Sequence, residues 1–141
     1  DHHSVKDFER AIKSVFKFAP YAPMLFVSAL TGQRCPSVLK EVKEVFIAAK
    51  QRISTSEVNN VLSRAFRSKP PPIYRGTNLK LYFATQIETA PPTLTLFVNF
   101  PKQVNFAYER YLKNQLRKEF GFEGSDIKLI FRKRGAEEAR G

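Results

Sequence analysis

The 141 residues hold 24 Lys/Arg against 13 Asp/Glu, a formal net charge of +11, with 43% hydrophobic and 26% charged residues. Such a balance suits about one globular domain with room for a second small one, and no apolar run approaches the ~20 residues of a membrane span. One cysteine, Cys35, excludes an internal disulfide, and no charged-then-apolar leader opens the chain.

The adjacent His2 and His3 cannot both face one ion from a regular helix, so they read as an exposed helix start rather than a metal site. Val5, Phe8, Ile12 and Val15 recur at spacings of three and four. That predicts an amphipathic helix over 4–17, with Lys6, Arg10, Lys13 and Lys17 outside. Pro20 and Pro23 break the pattern. Met24–Val27 is a short apolar run flanked by turn residues, which predicts a strand buried on both faces in a parallel sheet. It ends in Ser28-Ala29-Leu30-Thr31-Gly32. Val38, Leu39, Val42, Val45, Phe46 and Ala49 then return to helical spacing behind Pro36-Ser37. Helix, buried strand, loop and helix make part of an α/β winding, and a central parallel strand needs neighbours on both sides. Residues 1–54 therefore read as a piece of a larger sheet domain.

The style changes after residue 53. Thr55 or Ser56 offers a helix cap, and Val58, Val61, Leu62, Ala65 and Phe66 line one face of a helix that must stop before Pro70-Pro71-Pro72. Leu79, Leu81, Phe83, Thr85 and Ile87 alternate with Lys80, Tyr82, Ala84 and Gln86. Residues 93–100 alternate likewise, with Leu94, Leu96 and Val98 on one side, and Pro91-Pro92 sits in the hairpin between the two runs. Residues 106–120 form a second long helix with Tyr108, Tyr111, Leu112, Leu116 and Phe120 as its stripe, and Gly121 is a stop signal. Ile127, Leu129 and Phe131 mark a last strand. The order α-β-β-α-β predicts an α+β layer pair over 55–135, with helices on one face of a three-stranded sheet. Residues 136–141 read as a flexible polar tail.

Charge concentrates in the second part, where residues 57–135 carry fourteen Lys/Arg and six Asp/Glu. A surplus of this kind suits polyphosphate partners, because each neutralised phosphate releases condensed counterions. A merely soluble basic surface is the plain alternative.

The ordered set Tyr21-Ala22-Pro23, Ser28-Ala29-Leu30-Thr31-Gly32-Gln33, Pro70-Pro71-Pro72, Lys80-Leu81-Tyr82-Phe83-Ala84-Thr85-Gln86, Pro91-Pro92-Thr93, Leu96-Phe97-Val98-Asn99, Tyr108-Glu109-Arg110-Tyr111-Leu112 and Phe120-Gly121-Phe122-Glu123-Gly124 resembles the C-terminal region of the Der (EngA) family of double GTPases. The resemblance runs from about Val5 to Arg134. It implies the end of a second Ras-like GTPase domain over 1–54 followed by a KH-like domain over 55–135. It also implies a parent protein that uses GTP/GDP and magnesium in large-subunit ribosome assembly, in the bacterial cytoplasm or an organelle's stroma or matrix. Ser28, Ala29 and Leu30 would border the guanine base. No phosphate loop of the form G-x-x-x-x-G-K-[ST] and no Asn-Lys-x-Asp motif occurs in the 141 residues, so the expectation is a chain that neither holds nucleotide tightly nor hydrolyses it.

Gly121-Phe122-Glu123-Gly124 matches the G-x-x-G string that clamps RNA backbone in typical KH domains. Here it joins a helix to a strand and carries an acid, so it reads as structural. The corresponding helix-start turn is Pro101-Lys102-Gln103-Val104-Asn105, without glycine. RNA contact would then rest on cations: Arg110, Lys113 and Arg117 along one helix face, and Lys80, Lys128, Arg132, Lys133 and Arg134 on or beside strands. Tyr82 reads as a packed core tyrosine, with base stacking as the alternative. The expected partners are ribosomal RNA, the large ribosomal subunit and the GTPase domains of the same protein, with no membrane. A stand-alone RNA-binding adaptor and a protein-docking module are the competing readings.

Overall fold

The computed structural model describes residues 2–135. Along them lie α1 (His2–Val15), α2 (Cys35–Ala49), α3 (Thr55–Ser68), β1 (Leu81–Glu88), β2 (Thr93–Val98), a 3-10 turn (Pro101–Gln103), α4 (Phe106–Phe120) and β3 (Lys128–Lys133). The sheet has the order β1-β2-β3, with β2 antiparallel to β1 and parallel to β3. Parallel pairing requires a long crossover, and α4 supplies it by running from the end of β2 back to the start of β3.

Ser54 starts α3 through a capping box: its side chain accepts from the Glu57 N–H, and the Glu57 carboxylate accepts from the Ser54 N–H. The cap thus lies one residue before Thr55 and two before Ser56, the two candidates expected from the sequence. At the start of α4 the Asn105 side chain accepts from the Tyr108 N–H at 2.8 Å. Both helices then present apolar residues at spacings of three and four to the sheet. Val58, Leu62, Tyr108, Leu112 and Leu116 close over Ala84, Leu94, Leu96 and Ile127, all buried. A fully buried leucine contributes roughly 1.5–3 kcal/mol, so this helix-on-sheet seam is the main stabilising element.

Strand β1 departs from simple alternation. Its register against β2 steps between Leu81 and Phe83 and again between Gln86 and Glu88. An extra residue in a period-2 strand sends every later side chain to the opposite face. Leu81 and Ala84 therefore both face the core, while Phe83 turns to the other side and stacks on Phe97 of β2 at 6.3 Å. The run Leu79, Leu81, Phe83, Thr85, Ile87 does not share one face.

Polar side chains bind the outer edge of β1. Asn59 of α3 donates to the Ala84 carbonyl at 2.7 Å and accepts from the Ala84 N–H at 2.9 Å, which satisfies both groups that a further strand would use. Gln86 accepts from the Ile53 N–H at 2.8 Å and donates to the Gln51 and Glu88 carbonyls, tying the approach to α3 onto the sheet.

Residues 20–28 correct one expectation. Met24–Val27 forms no strand, and Leu25 and Val27 are 41% and 47% exposed. A buried strand is defined by its neighbours, and no strand among the described residues pairs with it. For the same reason Phe8 and Val15 of α1, and Leu39 and Val42 of α2, lie open to solvent.

Tyr108 gives the seam a pH response. It is 4% exposed, and its hydroxyl donates to the Lys69 carbonyl at 2.9 Å. Burial raises its pKa well above the ordinary 10.0. The folded chain then keeps this proton at pH values where the unfolded chain has lost it. The contribution is complete below the unfolded pKa and is lost as pH rises through the folded one. Thermal melts from neutral pH to about 11 should show the midpoint falling at the alkaline end, above the ordinary tyrosine range. Tyr108→Phe should lessen that alkaline fall while costing about 1 kcal/mol at neutral pH for the missing hydrogen bond.

Candidate nucleic-acid interface

The structure sorts the cations of this chain into those engaged inside the fold and those that face outward. On α4, Lys113 lies 3.7 Å from Glu109 and 3.9 Å from Asp126. Arg117 is turned inward: it donates to the Phe122 and Ser125 carbonyls, both at 2.8 Å, and its guanidinium stands 4.6 Å from the Tyr21 ring centroid. Burial lowers the Arg117 pKa and raises that of the Tyr21 phenol. Arg110 alone of the three is exposed, so the expected row does not present three free charges.

Strand cations converge instead at one end of the sheet. Parallel pairing sets Arg132 beside Phe97 and Lys133 beside Val98. Beyond that rung Asn99 donates to the Lys80 carbonyl and accepts from the Lys80 N–H at 2.8 Å, bringing Lys80 to the same end. Arg134 places its guanidinium 5.0 Å from the Tyr82 ring centroid. Lys128, at the other end of β3, is about 16 Å away at the usual strand rise. Tyr82 is not the core residue expected of it: it is 45% exposed, at the register step between Leu81 and Phe83. Arg67, in the last turn of α3, completes the group and does not stand out in the sequence. Its signal there is the Arg64/Arg67 spacing, of which Arg64 pairs with Glu119 at 3.3 Å and Arg67 has no carboxylate partner among the described residues.

The G-x-x-G string connects α4 to β3 and packs against the first part of the chain. Gly124 has φ +74°, and a Cβ there would run into Val45 Cγ2 and lie 3.2 Å from Pro23 Cδ. Together with the Tyr21–Arg117 contact and the Ala90 N–H donating to the Ala49 carbonyl at 2.9 Å, this makes the joint between residues 20–50 and the sheet module.

Ser28, Ala29 and Leu30 lead into a tight turn in which the Ser28 N–H donates to the Gln33 carbonyl at 3.0 Å and the Thr31 N–H to Ser28 Oγ. Leu30 is 97% exposed. The phosphate-loop pattern G-x-x-x-x-G-K-[ST] does not occur in the 141 residues. No group of metal-ligating side chains occurs among the described residues, and no helix there is long and apolar enough to cross a membrane.

Two helices on one face of a mixed three-stranded sheet, in the order α-β-β-α-β and with a glycine-free turn before α4, define a KH-like domain. The family model for the KH-domain-like domain of EngA bacterial GTPase enzymes, C-terminal, matches residues 52–132, and the chain belongs to that family. It is 47% identical over 134 residues to the GTPase Der of Lactobacillus johnsonii, covering 95% of this chain and 31% of that protein. The GTPase Der of Moorella thermoacetica is 46% identical over 133 residues, covering 94% and 30%. That of Geobacter metallireducens is 45% identical over 138 residues, covering 98% and 31%. The chain thus spans about a third of the length of the curated relatives it matches.

The joint makes a steric prediction. Gly124→Ala should lower stability by about 1–3 kcal/mol, through left-handed strain plus overpacking on Val45. Gly121→Ala carries only the strain, since nothing lies within 4 Å of its Cβ position. Urea unfolding midpoints of the two variants should place Gly124→Ala clearly lower.

Proposed function

We propose that this chain is the C-terminal part of a GTP-binding ribosome-assembly factor, whose KH-like domain contacts ribosomal RNA through its basic sheet end. One observation carries the reading: Arg67, Lys80, Arg132, Lys133 and Arg134 gather at one end of the sheet without a carboxylate partner among the described residues. Cations on a rigid strand end track phosphates without reading sequence. The glycine-free turn before α4 and the packed Gly124 leave side-chain charge as the means of contact.

The relatives bear the name GTPase, and in the whole protein GTP or GDP with magnesium would be held mainly by segments outside these residues. Within this chain the Ser28–Leu30 loop fits only the base edge. The GTPase domains would govern the module through the joint at Tyr21, Pro23 and Val45, in the bacterial cytoplasm or an organelle's stroma or matrix.

Affinity for a ribosomal RNA fragment across a salt series is the direct test. Log affinity should fall steeply with log salt, and reversal of Arg132, Lys133 and Arg134 to glutamate should remove about 0.7–0.9 from the slope for each phosphate no longer neutralised. Arg117→Gln should leave the slope intact while lowering the melting temperature, because its charge faces inward. A flat slope, or one that the triple reversal leaves unchanged, overturns the reading.

A further inference from the structure

A groove of about 520 Å³ opens between α3 and β1. It arises because α3 must end before Pro70-Pro71-Pro72. The chain then turns at Arg75-Gly76, where both residues have positive φ and Tyr74 and Thr77 exchange backbone hydrogen bonds. It returns to enter β1 beside the helix it has just left. Phe66, Pro71 and Leu79 line the recess, and Arg67, Lys80 and Tyr82 stand around it with no acid among the lining residues. Since β1 is an edge strand, the groove lies at the margin of the sheet.

Its size falls within the ~300–1,000 Å³ of small-ligand sites. Its chemistry is mixed: an apolar recess, an exposed aromatic ring and unpaired cations. An RNA duplex presents phosphate and sugar outward and keeps its bases stacked inside, so it would engage the cations and leave the recess empty. An acidic peptide supplies charge but no flat aromatic body. An unpaired strand supplies both, because a splayed base stacks on a tyrosine while its phosphates meet lysine and arginine.

We infer that this groove holds one unpaired nucleotide of single-stranded RNA, its base against Tyr82 and the Leu79 recess and its phosphates on Lys80 and Arg67. Arg134, over the Tyr82 ring, adds a further charge on the strand's path. The inference rests on the RNA-binding reading and deepens it, replacing a diffuse basic patch with a defined seat for a base.

The test is NMR titration of the chain with hexa-adenylate, adenosine monophosphate, a short RNA duplex and hexaglutamate. Hexa-adenylate should shift the signals of Tyr82, Phe66 and Leu79, and Tyr82→Ala should weaken it by roughly five- to hundredfold. Tyr82→Phe should bind as the parent does, and duplex affinity should be the same in all three. Since Tyr82 is an exposed residue, the variants retain the fold, which their backbone spectra check directly. Shifts confined to other surfaces, or unchanged affinity in Tyr82→Ala, overturn the inference. So does hexaglutamate moving the groove signals as strongly, or the mononucleotide binding as tightly as the hexamer. If the duplex binds with a steep salt slope while hexa-adenylate misses the groove, the groove assignment alone fails. If neither RNA binds at low salt, the RNA reading fails with it.

Discussion

The packing of Leu62, Leu112 and Leu116 onto Leu94 and Leu96 holds everything else in place. Strand β2 is buried along its whole length, so its register is pinned from both sides. A slip of one residue would exchange Leu94 and Leu96 for Thr95 and Phe97 on the helix face, which the seam does not permit. Because β2 is fixed, β3 is fixed beside it, and Arg132, Lys133 and Arg134 arrive next to Lys80 through the Asn99 rung. The basic end is therefore a product of core packing rather than of any attraction among its own charges, which repel.

Much of this is legible in the sequence where one periodicity governs a whole element. The bounds of α4 match its stripe, α3 ends where the prolines require, and the α-β-β-α-β order follows from the spacing of Val58, Leu62, Leu94, Leu96, Leu112 and Leu116. What cannot be read there depends on partners far away in the chain. The step at Tyr82 leaves no mark in the alternation of β1, so by pattern alone Phe83 shares a face with Leu81. Asn59 and Gln86 resemble ordinary polar residues until β1 and residues 51–53 come beside them. Met24–Val27 has the composition of a buried strand, yet composition does not provide the strands on either side.

Net charge is informative in sum and misleading in detail. Fourteen Lys/Arg lie between residues 57 and 135, but Arg64, Lys113 and Arg117 are joined to protein groups. Half-exposed ion pairs of this kind are worth little in stability, about 0–1 kcal/mol each. Their larger effect is to withdraw those charges from the surface field. Arg117 goes further, because two carbonyls and a tyrosine ring make it the pin of the joint between the two parts of the chain.

The Asn59 clamp has a bearing on how this chain behaves in a crowded solution. It exposes apolar helix faces, and a bare strand edge beside them would invite sheets from neighbouring copies to merge. On the β1 side that route is closed at Ala84, where donor and acceptor are already taken within the fold. On the β3 side the edge begins and ends in lysine, so two such edges repel when brought together. A module built to carry positive charge is thereby also guarded against fibrous growth.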